Sequence, residues 1–154
     1  MGTADDATPS RLREMPSWLI SQTSMHAHQL LTEALATAGA RGYHYRLLAA
    51  LKEFGPASQA VLGRHTSIDR SDVVAAINEL ADRGLVERSP DPTDRRRNVI
   101  SITRAGTAAL KRLDGVLVEV QNELLAPLSP TDRQVLFRLL TRVLEYHSDK
   151  RSSG

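Results

Sequence analysis

Three consecutive arginines, Arg95, Arg96 and Arg97, interrupt a stretch that otherwise has the composition of two short strands. The runs LVERS before them and NVISIT after them alternate in character, and two prolines lie in between. This pattern predicts a β-hairpin with a loop longer than two residues. Guanidinium groups at such a loop tip lose little hydration, and they can reach phosphate groups or the narrow, electronegative minor groove of DNA.

The same triplet also fits a solvated charge run on a surface loop. Asp94, directly before it, can pair with one arginine and hold the loop open, which leaves the other two free for DNA. The choice between these interpretations depends on the elements around the loop.

Catalytic and metal chemistry find little support in the sequence. There is no glycine-rich phosphate loop, no HExxH and no GxSxG, and the chain has no cysteine. His26 and His28 are two residues apart on a predicted helix and diverge by about 200°, so at most one of them can join another histidine around a metal. We therefore expect no catalytic residue, no cofactor and no metal site, with a metal sensor as a minor alternative.

Composition and charge limit the class of protein and its compartment. The chain has 154 residues, a formal net charge of +2 and a pI near 9.3, so the placement of the arginines matters more than the total charge. No apolar run approaches the ~18 residues of a membrane span, and the N-terminal stretch has no apolar signal core. We expect a single cored domain in the cytoplasm.

Apolar spacing and helix stop signals predict six helices and one hairpin, after a flexible N-terminal arm at residues 1–16. The predicted helices are 17–38, ended by Gly39; 43–54, ended by Gly55 and Pro56; 58 to about 63; 70–83, ended by Gly84; one from Gly106 to Pro127; and one that begins at Pro130 with Ser129 as its cap.

The helix at 70–83 follows its predecessor after a tight connection, and Asp69 with Asp72 resembles an acidic capping pair. Its predicted buried stripe consists of Val73, Ile77, Leu80 and Ala81. The opposite, outward face carries Ser71, Asp72, Ala75, Asn78 and Asp82. Two helices, then a tight pair of a short helix and a longer one, and then a hairpin with a basic tip follow the order of a winged helix-turn-helix. This is a mainly α (α+β) fold whose second paired helix enters the major groove.

The segment DRSDVVAAINELADRGLVERSPDPTDRRRNVISITRAG, residues 69–106, resembles the MarR family of bacterial winged-helix regulators, above all at DPTDRRRNVISIT. The resemblance implies a homodimer on a palindromic operator. It also implies a helical dimerisation region at 17–40 and 105–148 and a DNA-binding lobe at 41–104. Asp94 and Arg96 match the Asp-x-Arg of the family wing, which makes Arg96 the minor-groove finger and Arg95 and Arg97 phosphate contacts.

The recognition helix departs from the family pattern, because Ala75 stands where many relatives carry a long polar residue. Asn78 can bind adenine in a bidentate manner, Ser71 is permissive, and Asp72 either accepts from cytosine or only caps the helix. Further phosphate contacts are expected at the margins, from Arg64, His65, Ser67 and Arg70. For Arg70 and Arg83 an ion pair within the protein is an equal alternative.

The resemblance further implies a small, often aromatic or phenolic effector that binds between the dimerisation helices and the lobe and lowers the affinity for DNA. Amphipathic and aromatic side chains are concentrated on the two helices that would border such a pocket. They are Trp18, Met25, His26, Tyr43, His44 and Tyr45. The alternative is that Trp18 and the tyrosines fill a dimer core.

A second class of function stays open at this stage. A winged helix can also serve protein contact or sequence-tolerant DNA binding without a ligand response, and Ala75 and the acidic residues of the recognition face favour that alternative.

Overall fold

The structure, a computed structural model, describes residues 7–153 and has a mainly helical winged helix-turn-helix fold. Two antiparallel strands form its hairpin, in the order that the sequence predicts. The elements are α1 (Ser10–Arg13), α2 (Pro16–Thr37), α3 (Gly42–Phe54), α4 (Gln59–Thr66), α5 (Arg70–Asp82), β1 (Val86–Pro90), β2 (Asn98–Ile102), α6 (Arg104–Leu124) and α7 (Pro130–Ser152). In the part of the chain that is described, no helix is both long and apolar enough to cross a membrane.

The described chain divides after Val120 into two compact units. The core of the first unit forms where α3, α4 and α5 pack on each other and on the hairpin. Its fully buried side chains come from each of these elements, as expected for amphipathic helices that turn one stripe inward. They include Leu47, Leu48, Leu51, Leu62, Ile77, Leu80 and Ile100.

The hairpin has a third, very short neighbour that the sequence does not predict. Val86 pairs with Ile102 and Pro90 with Asn98, while Ala57, just before α4, makes an isolated antiparallel bridge to Ile100. The two backbone hydrogen bonds of this bridge measure 3.1 and 2.8 Å. The bridge fixes the base of the hairpin against the helical core.

Close approach of backbones explains the glycine at the start of α6. An added Cβ at Gly106 would lie far inside contact distance of the Leu85 carbonyl oxygen. Thr103, the single residue between β2 and α6, donates through its hydroxyl to the Gly84 carbonyl (2.7 Å) and accepts from the Gly106 N–H (3.0 Å). The junction between hairpin and helix is therefore tightly packed.

Helix α7 belongs to the second unit and starts as predicted. The Ser129 hydroxyl accepts from the Asp132 N–H at 3.1 Å, with Pro130 in the first turn. Much of the apolar side-chain surface of this helix is exposed in the single chain. The exposed apolar residues are Phe137, Leu139, Leu140, Val143, Leu144 and Tyr146.

Three local expectations differ from the structure. The expected arm at 1–16 contains the helical turn of α1, where Pro9 starts the turn and its carbonyl accepts from the Leu12 N–H, while residues 1–6 lie outside the described chain. Helix α4 continues past Gly63 to Thr66, because at Gly63 the backbone packs closely against Ile68 instead of ending the helix.

The third difference concerns the start of α5. Asp69 is its N-cap by position but makes no side-chain capping hydrogen bond, so the predicted capping pair is wrong. Asp72 lies in the first turn, where its charge suits the helix dipole. The buried stripe includes Ala76, whereas Ala81 is only half-buried.

Candidate nucleic-acid interface

The loop between β1 and β2, residues 91–97, is braced by two aspartates. The Asp91 carboxylate accepts from the backbone N–H and the hydroxyl of Thr93 at 2.8 and 2.7 Å, and these bonds lower the pKa of Asp91. The backbone closes the loop through hydrogen bonds from Asp91 to the Arg97 carbonyl and from Arg97 to the Asp94 carbonyl. The loop that carries the arginines therefore has an internal scaffold.

Asp94 holds two arginines, not one. Its carboxylate accepts from the backbone N–H and the Nε of Arg96 (3.1 and 3.3 Å), and it lies 3.6 Å from the Nε of Arg97. The expectation of a single pair is wrong, because the turn brings both guanidinium groups to the same carboxylate. The side chains of Arg96 and Arg97 stay 91% and 71% exposed, and Arg95 is also exposed. Exposed pairs of this kind are weak and can be exchanged for phosphate.

Helix α5 turns the predicted face to solvent. Ser71, Ala75, Asn78 and Asp82 are exposed, and Asp72 is half-buried. Asn78 is not free, because the guanidinium of Arg88 on β1 donates to its side-chain oxygen. The sequence does not single out Arg88, since nothing local indicates that this strand residue reaches α5.

The predicted marginal contacts lie in the last turn of α4, at its C-cap and at the start of α5. Arg64, Ser67 and Arg70 are exposed, and Ser67 has a left-handed backbone (φ 54°) that ends α4. The ring of His65 packs on Phe54, with ring centres 4.5 Å apart. The side chains of Arg64, Ser67 and Arg70 are thus accessible to a phosphate backbone.

A buried histidine connects α5 to the start of α3. His44 is 2% exposed; its Nδ1 accepts from the Arg41 N–H (3.2 Å), so its Nε2 carries the proton and donates to Glu79 (2.6 Å). The other oxygen of Glu79 lies 3.5 Å from the Arg41 guanidinium. The hydrogen bond from His44 is the largest effect on the pKa of Glu79 and lowers it; desolvation opposes this effect, and the charge of Arg41 adds to the lowering. Arg83, one turn further, donates to the Gly39 carbonyl.

Two of the residues predicted to bind a ligand therefore have partners inside the protein. Both ring nitrogens of His44 are engaged, and the Tyr45 hydroxyl donates to the Asp114 carboxylate on α6 at 2.7 Å. This hydrogen bond, with burial, raises the pKa of Tyr45 to about 12. His44 thus links α3 to α5, and Tyr45 links α3 to α6.

The other ligand candidates are accessible. Met25 and His26 are exposed on α2, and Trp18 on the same helix is half-buried. Tyr43, at the start of α3, is 40% exposed, with the Arg46 guanidinium 5.9 Å from its ring centre. Within residues 7–153, no three histidine or carboxylate side chains lie close enough to hold a metal ion.

Comparison with known proteins gives these side chains a context. A family model described as MarR family matches residues 39–97. A putative transcriptional regulatory protein for the hcr operon of Thauera aromatica is 35% identical over 92 residues, which cover 60% of this chain but only 55% of that protein. The HTH-type transcriptional repressor NicR of Pseudomonas putida is 25% identical over 140 residues, 91% of this chain and 89% of NicR.

A solved structure matches most of the chain at higher sequence identity than NicR. The crystal structure of a probable transcriptional regulator from Pseudomonas aeruginosa is 32% identical, with a TM-score of 0.76, and the match covers 86% of this chain and 99% of that one. The matched family consists of DNA-binding transcription factors rather than enzymes. With its hairpin, its recognition helix and these relatives, the chain belongs to the MarR family of transcriptional regulators.

Proposed function

We propose that this protein is a repressor that binds an inverted-repeat operator in double-stranded DNA as a homodimer, and that a small aromatic or phenolic effector lowers its affinity for the operator. The observation that carries the proposal is the braced arginine loop, which lies in the same compact unit as the exposed face of α5. One element can then enter the major groove while the other reaches the neighbouring minor groove.

The roles of the arginines follow from their partners. The guanidinium of Arg96 is the more exposed of the two that share Asp94, which suits insertion into a narrow minor groove. Arg95 and Arg97 then contact phosphates on either side. Since Asp94 also bonds the backbone N–H of Arg96, the loop keeps its shape when a guanidinium changes partner.

The homodimer is supported by unsatisfied apolar surface. Phe137 and Leu144 on α7 are 74% and 68% exposed, and Met25 on α2 is 66% exposed. Large apolar side chains that are exposed to this degree are typical of an interface between proteins. A twofold dimer would place two copies of α5 on successive major grooves, about 34 Å apart, so we expect half-sites one helical turn apart.

The effector proposal rests on Trp18, Met25, His26 and Tyr43, the ligand candidates that remain accessible on α2 and α3. Aromatic rings with polar edges suit an amphipathic ligand. Because α3 also holds α5 through His44, a ligand on α3 has a direct route to the recognition helix.

The primary test is a binding selection on genomic fragments at near-physiological salt, with the wild type, Arg96→Ala and Arg151→Ala. Arg151 is an exposed arginine at the end of α7 and serves as the control. We expect a few inverted repeats with the wild type and the control, and a loss with Arg96→Ala that flattens the salt slope by about one unit. Equal recovery of all fragments would contradict a specific regulator.

A second candidate function is sequence-tolerant DNA binding or protein contact. Ala75 at the centre of the exposed face of α5, with Asp72 and Asp82 beside it, favours this alternative because few long donors face the bases. A specific repressor should prefer its operator by about 10³ or more over random DNA, whereas a sequence-tolerant binder shows only the counterion slope.

The effector is tested through the single tryptophan of the chain. Titration with a panel of benzoates and phenols should quench Trp18 fluorescence in a saturable way for at least one compound, and that compound should release the operator. A Trp18→Phe protein, assayed by operator release alone, controls for optical effects. The effector proposal would be refuted if compounds quenched Trp18 without releasing the operator, or if no compound of the panel released the operator.

A further inference from the structure

Arg88 and Asn78 form a contact between the hairpin and the recognition helix. Arg88 is the third residue of β1, and its guanidinium donates to the side-chain oxygen of Asn78 on α5. Both residues are exposed, and Asn78 lies on the outward face with Ser71 and Ala75. The pair is therefore placed on the surface that is proposed to face DNA.

This contact changes what Asn78 can recognise. An asparagine binds adenine by accepting from the adenine amino group and donating to N7, which requires both its oxygen and its nitrogen. In this structure one of the two lone pairs of the oxygen already accepts from Arg88, so a positively charged guanidinium with further N–H donors lies directly beside the oxygen. An adenine amino group that approached the remaining lone pair would meet these donors and this charge.

We propose that Arg88 and Asn78 act together as a donor-only pair that binds an acceptor-only group of the operator, and that Asn78 does not read adenine. This inference rests on the proposed function. Two groups of DNA have the required chemistry: the major-groove edge of guanine, with its O6 and N7 acceptors, and a phosphate oxygen. The amide nitrogen of Asn78 and the free N–H groups of Arg88 would both donate to that group.

The test is a selection from a library of randomised duplexes with the wild type, Asn78→Ala and Arg88→Met. The methionine keeps most of the aliphatic stem of Arg88 and removes its donors. If guanine is the partner, both variants lose the same guanine position, and Arg88→Met gains adenine there because the Asn78 oxygen is released. If phosphate is the partner, both variants weaken binding by about tenfold on all sequences, and the salt slope of Arg88→Met falls by about one unit.

The variant Asn78→Asp distinguishes a purely structural role of the pair from donation to DNA. Aspartate still accepts from Arg88, so the hairpin stays attached to α5, but the amide donor is lost. We expect unchanged or higher thermal stability and a loss of DNA affinity of about tenfold or more. Ser89→Asp adds the same charge to the next residue of β1, on the opposite face of the strand, and controls for general repulsion.

Three results would overturn the inference: an adenine position that the wild type selects and Asn78→Ala loses, unchanged DNA binding by Asn78→Asp, or equal losses for Asn78→Asp and Ser89→Asp. A wild-type protein that binds DNA without selecting any sequence would contradict the proposed regulator instead. The donor role would then still be decided by the affinities of the variants for random-sequence DNA.

Discussion

At the scale of single residues, Glu79 on α5 interacts with two residues near the start of α3. One of its oxygens accepts from buried His44 and the other lies near Arg41, so a recognition-helix residue holds the start of α3. The bond to His44 lowers the pKa of Glu79. A group with a lowered pKa stabilises the fold above its unfolded pKa, here 4.5, and this contribution disappears as the pH falls through the folded pKa.

Glu79→Gln should therefore have a lower free energy of unfolding than the wild type at about pH 7. Below about pH 4 the two free energies of unfolding should lie closer together. The physical reason is that the wild type loses the Glu79 charge on acidification, while glutamine has none to lose. Urea titrations at both pH values measure the difference. Glu53→Gln, at an exposed acid on α3, serves as the control and should show no such narrowing. A constant gap at both pH values would contradict the assigned role of the Glu79 charge.

The pairing of Asp94 with a neighbouring arginine could be predicted from the sequence because the interaction is local, although not that Asp94 holds two arginines. Asp94 and the arginines lie within three positions of each other, and turn chemistry brings them together. His44 and Glu79 are 35 positions apart, and Arg88 meets Asn78 only because the hairpin packs beside α5. Partners of this kind depend on tertiary packing, which spacing along the chain does not reveal.

At the scale of elements, the hairpin is held by its neighbours rather than by its own two strands. An isolated two-stranded hairpin is marginally stable in water. Here Ala57 pairs with Ile100, and the start of α6 packs against Leu85. Sequence periodicity predicts the strands, but not the single-residue bridge at Ala57, which has no periodic signal.

Gly106→Ala should destabilise the protein by about 3 kcal/mol or more, because the added methyl group overlaps a backbone oxygen that cannot move without opening the hairpin. Thermal unfolding measures the effect. Gly115→Ala, on the same helix with open space around the new Cβ, should stabilise by about 1 kcal/mol through helix propensity alone. Similar melting temperatures for the two variants would refute the close-packed junction.

At the scale of the whole molecule, the two units differ in how much of their apolar surface is buried within the single chain. The first unit buries its large side chains well, whereas α7 in the second unit exposes most of its own. The spacing of the apolar residues correctly predicts a helix that begins at Pro130. Whether an apolar stripe packs inside the chain or against a second copy is not written in the periodicity, because both use the same spacing.

Leu144→Glu should shift the protein from dimer to monomer and raise the dissociation constant of the dimer by at least about 100-fold, since a carboxylate would be buried without a partner. Sedimentation at several concentrations gives the constant. Thr131→Glu adds the same charge in the first turn of α7, where the helix dipole favours an acid, and should stay dimeric. A wild type that sediments as a monomer would contradict the proposed homodimer.

The one-residue junction at Thr103 couples the hairpin to the start of α6. Its backbone N–H donates to the Leu85 carbonyl, and its hydroxyl donates to the Gly84 carbonyl and accepts from the Gly106 N–H. The first turn of α6 is therefore tied to the segment just before β1, and Thr103 alone joins it to β2. A strand of five residues is about 17 Å long, so a tilt of about 10° at the start of α6 moves the loop tip by about 3 Å. Such a displacement breaks a hydrogen bond. A displacement of the first turn of α6 that also opens the Ala57–Ile100 bridge would therefore change the position of the arginines and leave their charge and chemistry unaltered.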